Sequence, residues 1–441
     1  MTRLKICLLI ITCCLNVALA ANTEQNNLDI QSYTLDSGMK VAFVAQPNKI
    51  VNIRLAFDAG ASRDNNSYGI ANITNNLLEL GSDGMTAKEI AENFESVGAI
   101  FSSNTYKDFA VLSLQTLAAT KYFETATTTF IKVASSPSFL STAITREKDH
   151  TITQIKLQNE NPKTIAFNKF FASIYADHPY GHPTSGNEKT IKAITAEQIN
   201  AFYKNHYTSA NATLVIVGDL SFAAAKNLAT KINDALPRGE KPKPIKMAKI
   251  NQDGHAKITY PSKQSSLAFG HVATTPNDPD NYALTLAEYI LGGGMDSRLS
   301  TVIREQKGLV YNVSSFFIPL KARGPFLVTL QTKAESIEEA TTSTTPVITE
   351  FVNHGVSATE LATAKNVLIT SSFDTFTTNN KIASAVMRQI IYNMPQNYLN
   401  NYAARINAVT LNELNAAIKK HILLADNFYV TVGPELTKKE L

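Results

Sequence analysis

The chain has 441 residues, of which 41 are Lys or Arg and 37 are Asp or Glu, so its formal net charge is +4. Arg3 and Lys5 are the only charged residues among the first twenty. The rest therefore carries +2, which indicates neither nucleic acid nor an anionic membrane as a partner. All three cysteines, Cys7, Cys13 and Cys14, also lie in the first twenty residues. The remaining chain thus excludes disulfides, thiolate zinc ligands and a cysteine nucleophile.

Residues 1–20, MTRLKICLLIITCCLNVALA, have the pattern of a cleavable signal peptide. A positively charged N-terminal segment precedes a short apolar run, and Ala18-Leu19-Ala20 forms an A-x-A cleavage signal. The run is shorter than the roughly 20 residues that a membrane-spanning helix needs. Lipidation at Cys13 or Cys14 is a weaker alternative, because a small residue should precede a lipidated cysteine. We expect an exported mature chain without a membrane span, periplasmic or, alternatively, secreted.

Beyond this leader, hydrophobic spacing predicts a similar order of strands and helices twice. In the first half we predict strands over residues 31–44 and 51–58, helices over 69–80 and 87–97, a strand over 110–116 and helices over 120–135 and 142–158. In the second half we predict a strand over 265–272, a helix over 281–291, strands over 309–317 and 325–332 and helices over 336–353 and 358–371. The segment VLSLQT at 111–116 is echoed by LVTLQT at 327–332.

A linker separates the two halves. Residues 236–250 contain three prolines and five basic side chains with little apolar periodicity, which is typical of an exposed connection. We therefore predict an N-terminal domain over 28–235 and a C-terminal domain over 251–435. The simplest account is a duplicated α+β unit, in which each domain is a sheet with helices packed on one face.

Two segments carry the chemical information. Residues 288–315 read EYILGGGMDSRLSTVIREQKGLVYNVSS and contain an Arg-x6-Tyr pair, Arg304 and Tyr311. Residues 69–78 read GIANITNNLL. In both segments, and over roughly residues 30–435, the chain resembles the insulinase or pitrilysin family of metallopeptidases, which includes the mitochondrial processing peptidases. The resemblance implies two homologous α/β-sandwich domains that form a clamshell.

The resemblance also shows what the first segment lacks. In that family a helical His-x-x-Glu-His supplies two zinc ligands and a general base, and a glutamate further along completes the ligands. Here Asn72 and Asn76 stand at the histidine positions and Asn75 at the position of the base. Gln154 stands where the last ligand is expected, near Glu147, which takes a supporting position. Amides are weak, neutral ligands and poor bases, so we predict no metal in this chain. The asparagines also fit a solvated polar helix face, an interpretation compatible with a vestigial site.

His178 and His182, in the segment HPYGH, are the other candidates for metal binding. Pro179 and Pro183 make this segment a turn, so the spacing of the two histidines has no helical meaning. We therefore predict an ordered loop. The remaining histidines lack ligand spacing: His150, His206, His255, His271, His354 and His421.

The second segment retains its functional pair. By resemblance, Arg304 and Tyr311 would reach a substrate near the scissile bond, where a guanidinium and a phenol donate toward a carbonyl that gains negative charge. The hypothesis is a non-catalytic, substrate-binding subunit that supplies Arg304 and Tyr311 in trans to a zinc-bearing His-x-x-Glu-His partner, or that pairs with itself. Peptide substrates would add a strand to a sheet edge. The alternative is a non-enzymatic scaffold or peptide-binding protein of the same fold.

Overall fold

The computed structural model describes residues 27–251 and 253–435. Its strands form two large sheets, one from each half of the chain, and a short ribbon. The strands are β1 (Gln31–Thr34), β2 (Lys40–Ala45), β3 (Ile50–Phe57), β4 (Gly81–Ser82), β5 (Met85–Thr86), β6 (Ile100–Thr105), β7 (Ala110–Leu117), β8 (Ala212–Gly218), β9 (Gly254–Thr259), β10 (Gln264–Val272), β11 (Val310–Phe317), β12 (Pro325–Lys333) and β13 (Phe428–Gly433). The predicted strand over 31–44 is in fact two strands, because a turn with Gly38 at φ 97° separates β1 from β2.

The helices of the first half are α1 (Ile70–Leu77), α2 (Ala87–Glu95), α3 (Thr120–Ser135), α4 (Ser141–Gln158), α5 (Pro162–Tyr175), α6 (Glu188–Ala193), α7 (Ala196–His206) and α8 (Phe222–Ala235). Those of the second half are α9 (Asn281–Glu288), α10 (Ile337–His354), α11 (Ala358–Ser372), α12 (Asn379–Ile391), α13 (Tyr398–Ala408) and α14 (Leu411–His421). Several begin with the capping box that their sequences encode, as at Thr86 with Glu89 and Thr410 with Glu413. No helix in the described residues is long and apolar enough to cross a membrane.

The two sheets have the same topology. The first sheet has the order β1-β2-β8-β3-β7-β6, and the second has the order β11-β12-β10-β13-β9. In each, one parallel pair lies toward one end, β2 with β8 and β9 with β13, and the other pairs are antiparallel. The echoed segments VLSLQT and LVTLQT lie in β7 and β12, at equivalent positions. The predicted duplication of an α+β unit is therefore confirmed, with β1 as an addition to the first copy.

Each sheet packs its own helices on one face, as predicted, and a helix from the other half on its second face. Helix α5 of the first half buries Phe170 and Ile174 against the second sheet, where they join a cluster with Leu327 and Val430. Helix α12 of the second half likewise packs on the first sheet, and Val386 joins a cluster with the apolar face of β8. This reciprocal exchange of helices buries both faces of both sheets. The two halves are therefore held together by two apolar clusters as well as by the linker.

A polar contact also crosses between the halves. Tyr180 is fully buried, its hydroxyl donates to the carboxylate of Asp108, and the same oxygen accepts from the backbone N–H of Ala322 at 3.0 Å. The second carboxylate oxygen of Asp108 accepts from the backbone N–H of Lys321 at 2.9 Å. The loop between β11 and β12 is thereby fastened to the first half.

Candidate functional site

Helix α1, which carries the three asparagines, begins after a position that requires glycine. Gly69 has φ 97°, and a Cβ atom there would lie 2.5 Å from Ile191 and 2.7 Å from the backbone oxygen of Ser185. Asp64 satisfies two N–H groups at the start of the helix, since its carboxylate accepts from Gly69 at 2.7 Å and from Ala71 at 2.9 Å. Burial raises the pKa of Asp64 to about 7 despite these hydrogen bonds. The geometry thus fixes the helix entry tightly.

Asn75 lies inside the protein, and a solvated face is the wrong interpretation for this residue. It is fully buried, and its Oδ1 accepts from the hydroxyl of Tyr207 at 3.0 Å. Within the described residues its Nδ2 has no hydrogen-bond partner. Because α1 packs against α7, the side chain that stands at the general-base position is held by a phenol at the end of that helix. Asn72 and Asn76 are half-buried, so the solvated interpretation holds only in part for them.

Helices α1 and α4 bring Asn76 and Glu147 together, as the resemblance implies. The Nδ2 of Asn76 donates to Glu147 at 2.8 Å, and the hydroxyl of Thr151 donates to the same oxygen at 3.3 Å. Gln154 lies two turns further along α4 on the same face as Glu147, and its side chain is exposed. In the described residues neither Asn72 nor Gln154 makes a side-chain hydrogen bond.

The residues at this position do not fit zinc. Glu147 is the one anionic group among them, and an amide of Asn76 already occupies one of its oxygens. A zinc site in proteins is built from Cys, His and carboxylate ligands. Across the residues that the structure describes, such groups converge only at Asp278, Asp280 and His421. There Lys420 and His421 both bind one oxygen of Asp280, at 2.7 and 2.8 Å.

The loop with His178 and His182 has a structural role. The Nε2 of His178 lies 2.9 Å from the backbone oxygen of Lys246, and the His182 ring stacks on Tyr68 with centroids 4.1 Å apart. Burial lowers the pKa of His182 to about 4, so the ring is neutral. Tyr180 between them makes the contact between the halves described above. The predicted ordered loop is what the structure contains.

Arg304 and Tyr311 meet in the second half. Arg304 lies in a π-helical segment, Ser300–Gln306, which the left-handed Gly308 follows at φ 64°. The guanidinium carbon lies 5.7 Å from the centroid of the Tyr311 ring, a cation–π distance. The register of β11 shifts between Val310 and Asn312, so Tyr311 is the extra residue of a β-bulge. Bulges re-aim side chains, and Tyr311 is 85% exposed.

The glycine-rich segment before this pair is anchored by Arg298. Its guanidinium binds both carboxylate oxygens of Glu360, at 2.7 and 2.9 Å, and the backbone oxygen of Gly355 at 2.8 Å. The same guanidinium lies 5.2 Å from the centroid of the Phe351 ring. The hydrogen bond from Arg298 lowers the pKa of Glu360 to about 2. Arg298 therefore positions the start of the segment that carries Arg304.

The sequence did not predict the edge strand β6 beside α1. Its residues alternate between exposed and half-buried, and Ile100 at its start is 62% exposed. In the second sheet β11, which carries Tyr311, occupies the equivalent edge. The segment IFSSNT at 100–105 has two apolar residues followed by four polar ones, so no apolar–polar alternation in the sequence indicates this strand.

The fold and these two sites define a class: a two-domain peptidase-like protein with Arg304 beside the exposed Tyr311 in one half and amides at Asn72, Asn75 and Asn76 in the other. A family model described as insulinase (peptidase family M16) matches residues 40–188, and one described as peptidase M16 inactive domain matches residues 193–368. A crystal structure of a peptidase M16 inactive domain from Pseudomonas fluorescens has a TM-score of 0.90 and 34% identity, over 93% of this chain and 99% of that chain. The chain belongs to the M16, or insulinase, family.

Relatives carry two kinds of description. A Rickettsia bellii protein described as an uncharacterized zinc protease is 29% identical over 65% of this chain and 69% of its own length. A Helicobacter pylori protein described as a non-peptidase homolog is 22% identical over 89% of this chain and 92% of its own length. Together with the amides of α1 and the match to the inactive-domain model, these similarities identify a zinc-site-deficient, non-catalytic member of the family.

Proposed function

We propose that this chain is the substrate-binding, non-catalytic subunit of an exported M16-family peptidase. It would supply Arg304 and Tyr311 to the active site of a partner that bears His-x-x-Glu-His and zinc. The observation that carries the proposal is the contrast between the two halves. In the first half, amide side chains stand at the positions where the family has metal ligands. In the second half, Arg304 lies over the ring of Tyr311, and Tyr311 is exposed to solvent.

The chemistry of the pair suits a role in trans. A guanidinium is always charged and offers fixed donors, and a phenol adds one donor beside it. Donors placed where negative charge develops on a substrate carbonyl stabilise the transition state, and loss of one such donor typically lowers turnover about 100- to 1000-fold. A purely structural tyrosine would gain nothing from this exposure, since burial of an aromatic ring is what stabilises a fold.

Peptide binding would use the open sheet edges. Strands β6 and β11 present unpaired backbone groups at one edge of each sheet, and an extended peptide can pair with such groups. Because β6 lies against α1, a peptide on this edge would run past the amide positions. The chain would thus hold a substrate there without cutting it.

Mild affinity purification of the tagged mature chain from its own cells, with mass identification of what accompanies it, tests the proposal. We expect an equimolar exported protein that contains His-x-x-Glu-His. Recovery of the chain alone, or with an unrelated protein, would contradict the heteromeric peptidase and favour the scaffold alternative. Fractionation of the cells and the mass of the mature N-terminus test export, with cleavage expected after Ala20.

The catalytic role is tested in the purified complex. We expect Arg304→Ala to leave assembly intact and to lower peptide turnover at least about 100-fold. Arg405→Ala is the matched control, because Arg405 is an exposed arginine on α13 of the same half. Equal turnover for the Arg304 variant and the unaltered complex would refute the role of the pair.

A further inference from the structure

A cavity of about 400 Å³ lies at the seam where three parts of the chain meet. We call it the seam cavity. Its wall includes residues of the first half, residues of the linker that follows α8, and residues of the second half. Its charged residues are Lys40, Asp58, Arg63, Lys241 and Lys321. Four cationic side chains thus face one carboxylate.

The single carboxylate is already engaged. Asp58 binds the guanidinium of Arg63 at 2.7 and 2.9 Å, and its Oδ2 lies 3.4 Å from the Nζ of Lys321. Burial alone would raise the pKa of Asp58, but Arg63 and Lys321 hold it below its ordinary value. Asp58 therefore balances one positive charge of the wall and leaves the others uncompensated.

The lysines on the wall have few partners. The Nζ of Lys40 donates to the side-chain oxygen of Asn393 at 3.0 Å, which is a neutral acceptor. Within the described residues Lys241 makes neither a hydrogen bond nor an ion pair. Burial lowers the pKa of Lys40, and the positive charges of Lys241 and Lys321 lower it further. Like charges that converge in a partly enclosed space repel one another unless an anion lies between them.

We infer that the seam cavity binds a small anion with at least two negative charges, of the phosphate-ester or polycarboxylate class. Lys40 and Lys241 would bind it directly, and Lys321 would contribute from the wall nearest Asp58. Thr213 and Asn277 also line the cavity, and the amide nitrogen of Asn277 donates to the backbone oxygen of Tyr392 at 2.6 Å. A volume of about 400 Å³ falls within the ordinary range of small-molecule sites.

A bound anion would tie together the first half, the linker and the second half. Lys40 begins β2, Lys241 lies in the linker, and Lys321 lies in the loop between β11 and β12. Binding to the folded state alone stabilises it in proportion to the logarithm of ligand concentration. The site is independent of the proposed role in proteolysis, since neither Arg304 nor Tyr311 lines it.

Titration calorimetry and thermal unfolding of the whole mature chain, with pyrophosphate and citrate as separate probes, test the inference. We expect one of the two probes to bind one site per chain and to raise the unfolding temperature. The better probe distinguishes a phosphate from a carboxylate ligand. Absence of heat and of a thermal shift for both, at about 10 mM and low salt, would overturn the proposal.

Lys241→Gln is the decisive variant and Lys249→Gln its matched control. Both lysines are exposed, lie in the linker and lose the same charge, but Lys249 does not line the cavity. We expect Lys241→Gln to weaken binding about tenfold or more and Lys249→Gln to leave it unchanged. An equal loss in both variants would mean that the anion binds to the basic linker in general, and would overturn the proposal.

The ligand-free protein gives a second, separate measurement. Because the positive charge of Lys241 acts unfavourably on Lys40, replacement of Lys241 by Gln should raise the unfolding temperature when no anion is present. A decrease, or no change, would contradict the convergence of charge on which the inference rests. The two measurements have opposite signs for the same substitution, which a general loss of folding cannot produce.

Discussion

Tyr207 donates its hydroxyl to the side-chain oxygen of Asn75 at 3.0 Å, and both side chains are fully buried. The two residues are 132 positions apart in the sequence: Asn75 lies in α1, and Tyr207 follows the last residue of α7. Burial also raises the pKa of Tyr207 well above its ordinary value, so the phenol stays protonated and can donate. An amide at this position is therefore part of the core.

Asn75→Ala should lower the free energy of unfolding by about 1–3 kcal/mol, because the Tyr207 hydroxyl would lose its partner inside the protein. Urea unfolding measures the change. Asn72→Ala is the control and should stay within about 0.5 kcal/mol, since Asn72 is half-buried. If the pair acts as a unit, Asn75→Ala combined with Tyr207→Phe should cost less than the sum of the two single changes.

Zinc and chelators should leave the unfolding temperature of the unaltered chain unchanged, because amides replace the ligands at the metal positions. The positive control is a variant with Asn72→His, Asn75→Glu, Asn76→His and Gln154→Glu. Its unfolding temperature should rise with zinc and fall again with a chelator. A zinc-dependent shift in the unaltered chain, measured by the same thermal scan, would show that a ligand set exists elsewhere.

Tyr180→Phe should destabilise the protein by about 1–3 kcal/mol, because the change removes a buried partner from both Asp108 and the N–H of Ala322. Chemical unfolding provides the value. Tyr122→Phe serves as control, since Tyr122 is exposed on α3 and should tolerate the change within about 0.5 kcal/mol. Equal stability of the two variants would mean that this link between the halves contributes nothing.

The ion pair of Arg298 and Glu360 should make stability depend on pH in the acid range. The folded-state pKa of Glu360 is about 2, below its ordinary value of 4.5. A depressed pKa means that the pair stabilises the fold above the unfolded-state value, and that this contribution is lost as the pH falls from 4.5 through about 2. Thermal unfolding of Glu360→Gln over this window should show a shallower decline than the unaltered chain. If the unfolding temperatures of both proteins declined identically, groups other than Glu360 would cause the acid sensitivity.

Tyr311→Phe separates function from folding. The side chain is 85% exposed, so the free energy of unfolding should change by less than about 0.5 kcal/mol. In the complex with the proposed partner, peptide turnover should fall about 100-fold, because the phenol no longer donates to the substrate. Kinetics of the complex and unfolding of the free chain give the two values. A loss of stability without a loss of turnover would mean that Tyr311 serves folding and not catalysis.

Much of the fold could be predicted because hydrophobic periodicity is a local property. The strands β7 and β12 and the helices α3 and α4 lie within a few residues of their predicted ranges. The polar edge strand β6 escaped prediction because an exposed edge does not need an apolar face. Helices α5 and α12 were also not predicted, although each buries apolar residues. Their exchange between the halves could not be predicted, because hydrophobic periodicity does not identify the sheet against which a helix packs.

Sequence alone predicts a duplicated α+β protein that resembles the insulinase family and has amides at Asn72, Asn75 and Asn76. Side-chain chemistry at a known position is readable without coordinates. The folded chain reveals three further features: Asn75 is buried against Tyr207, a β-bulge turns Tyr311 outward beside Arg304, and lysines from three segments converge on one cavity. These features depend on contacts between distant parts of the chain or on strand register. A short stretch of sequence encodes neither long-range contacts nor register.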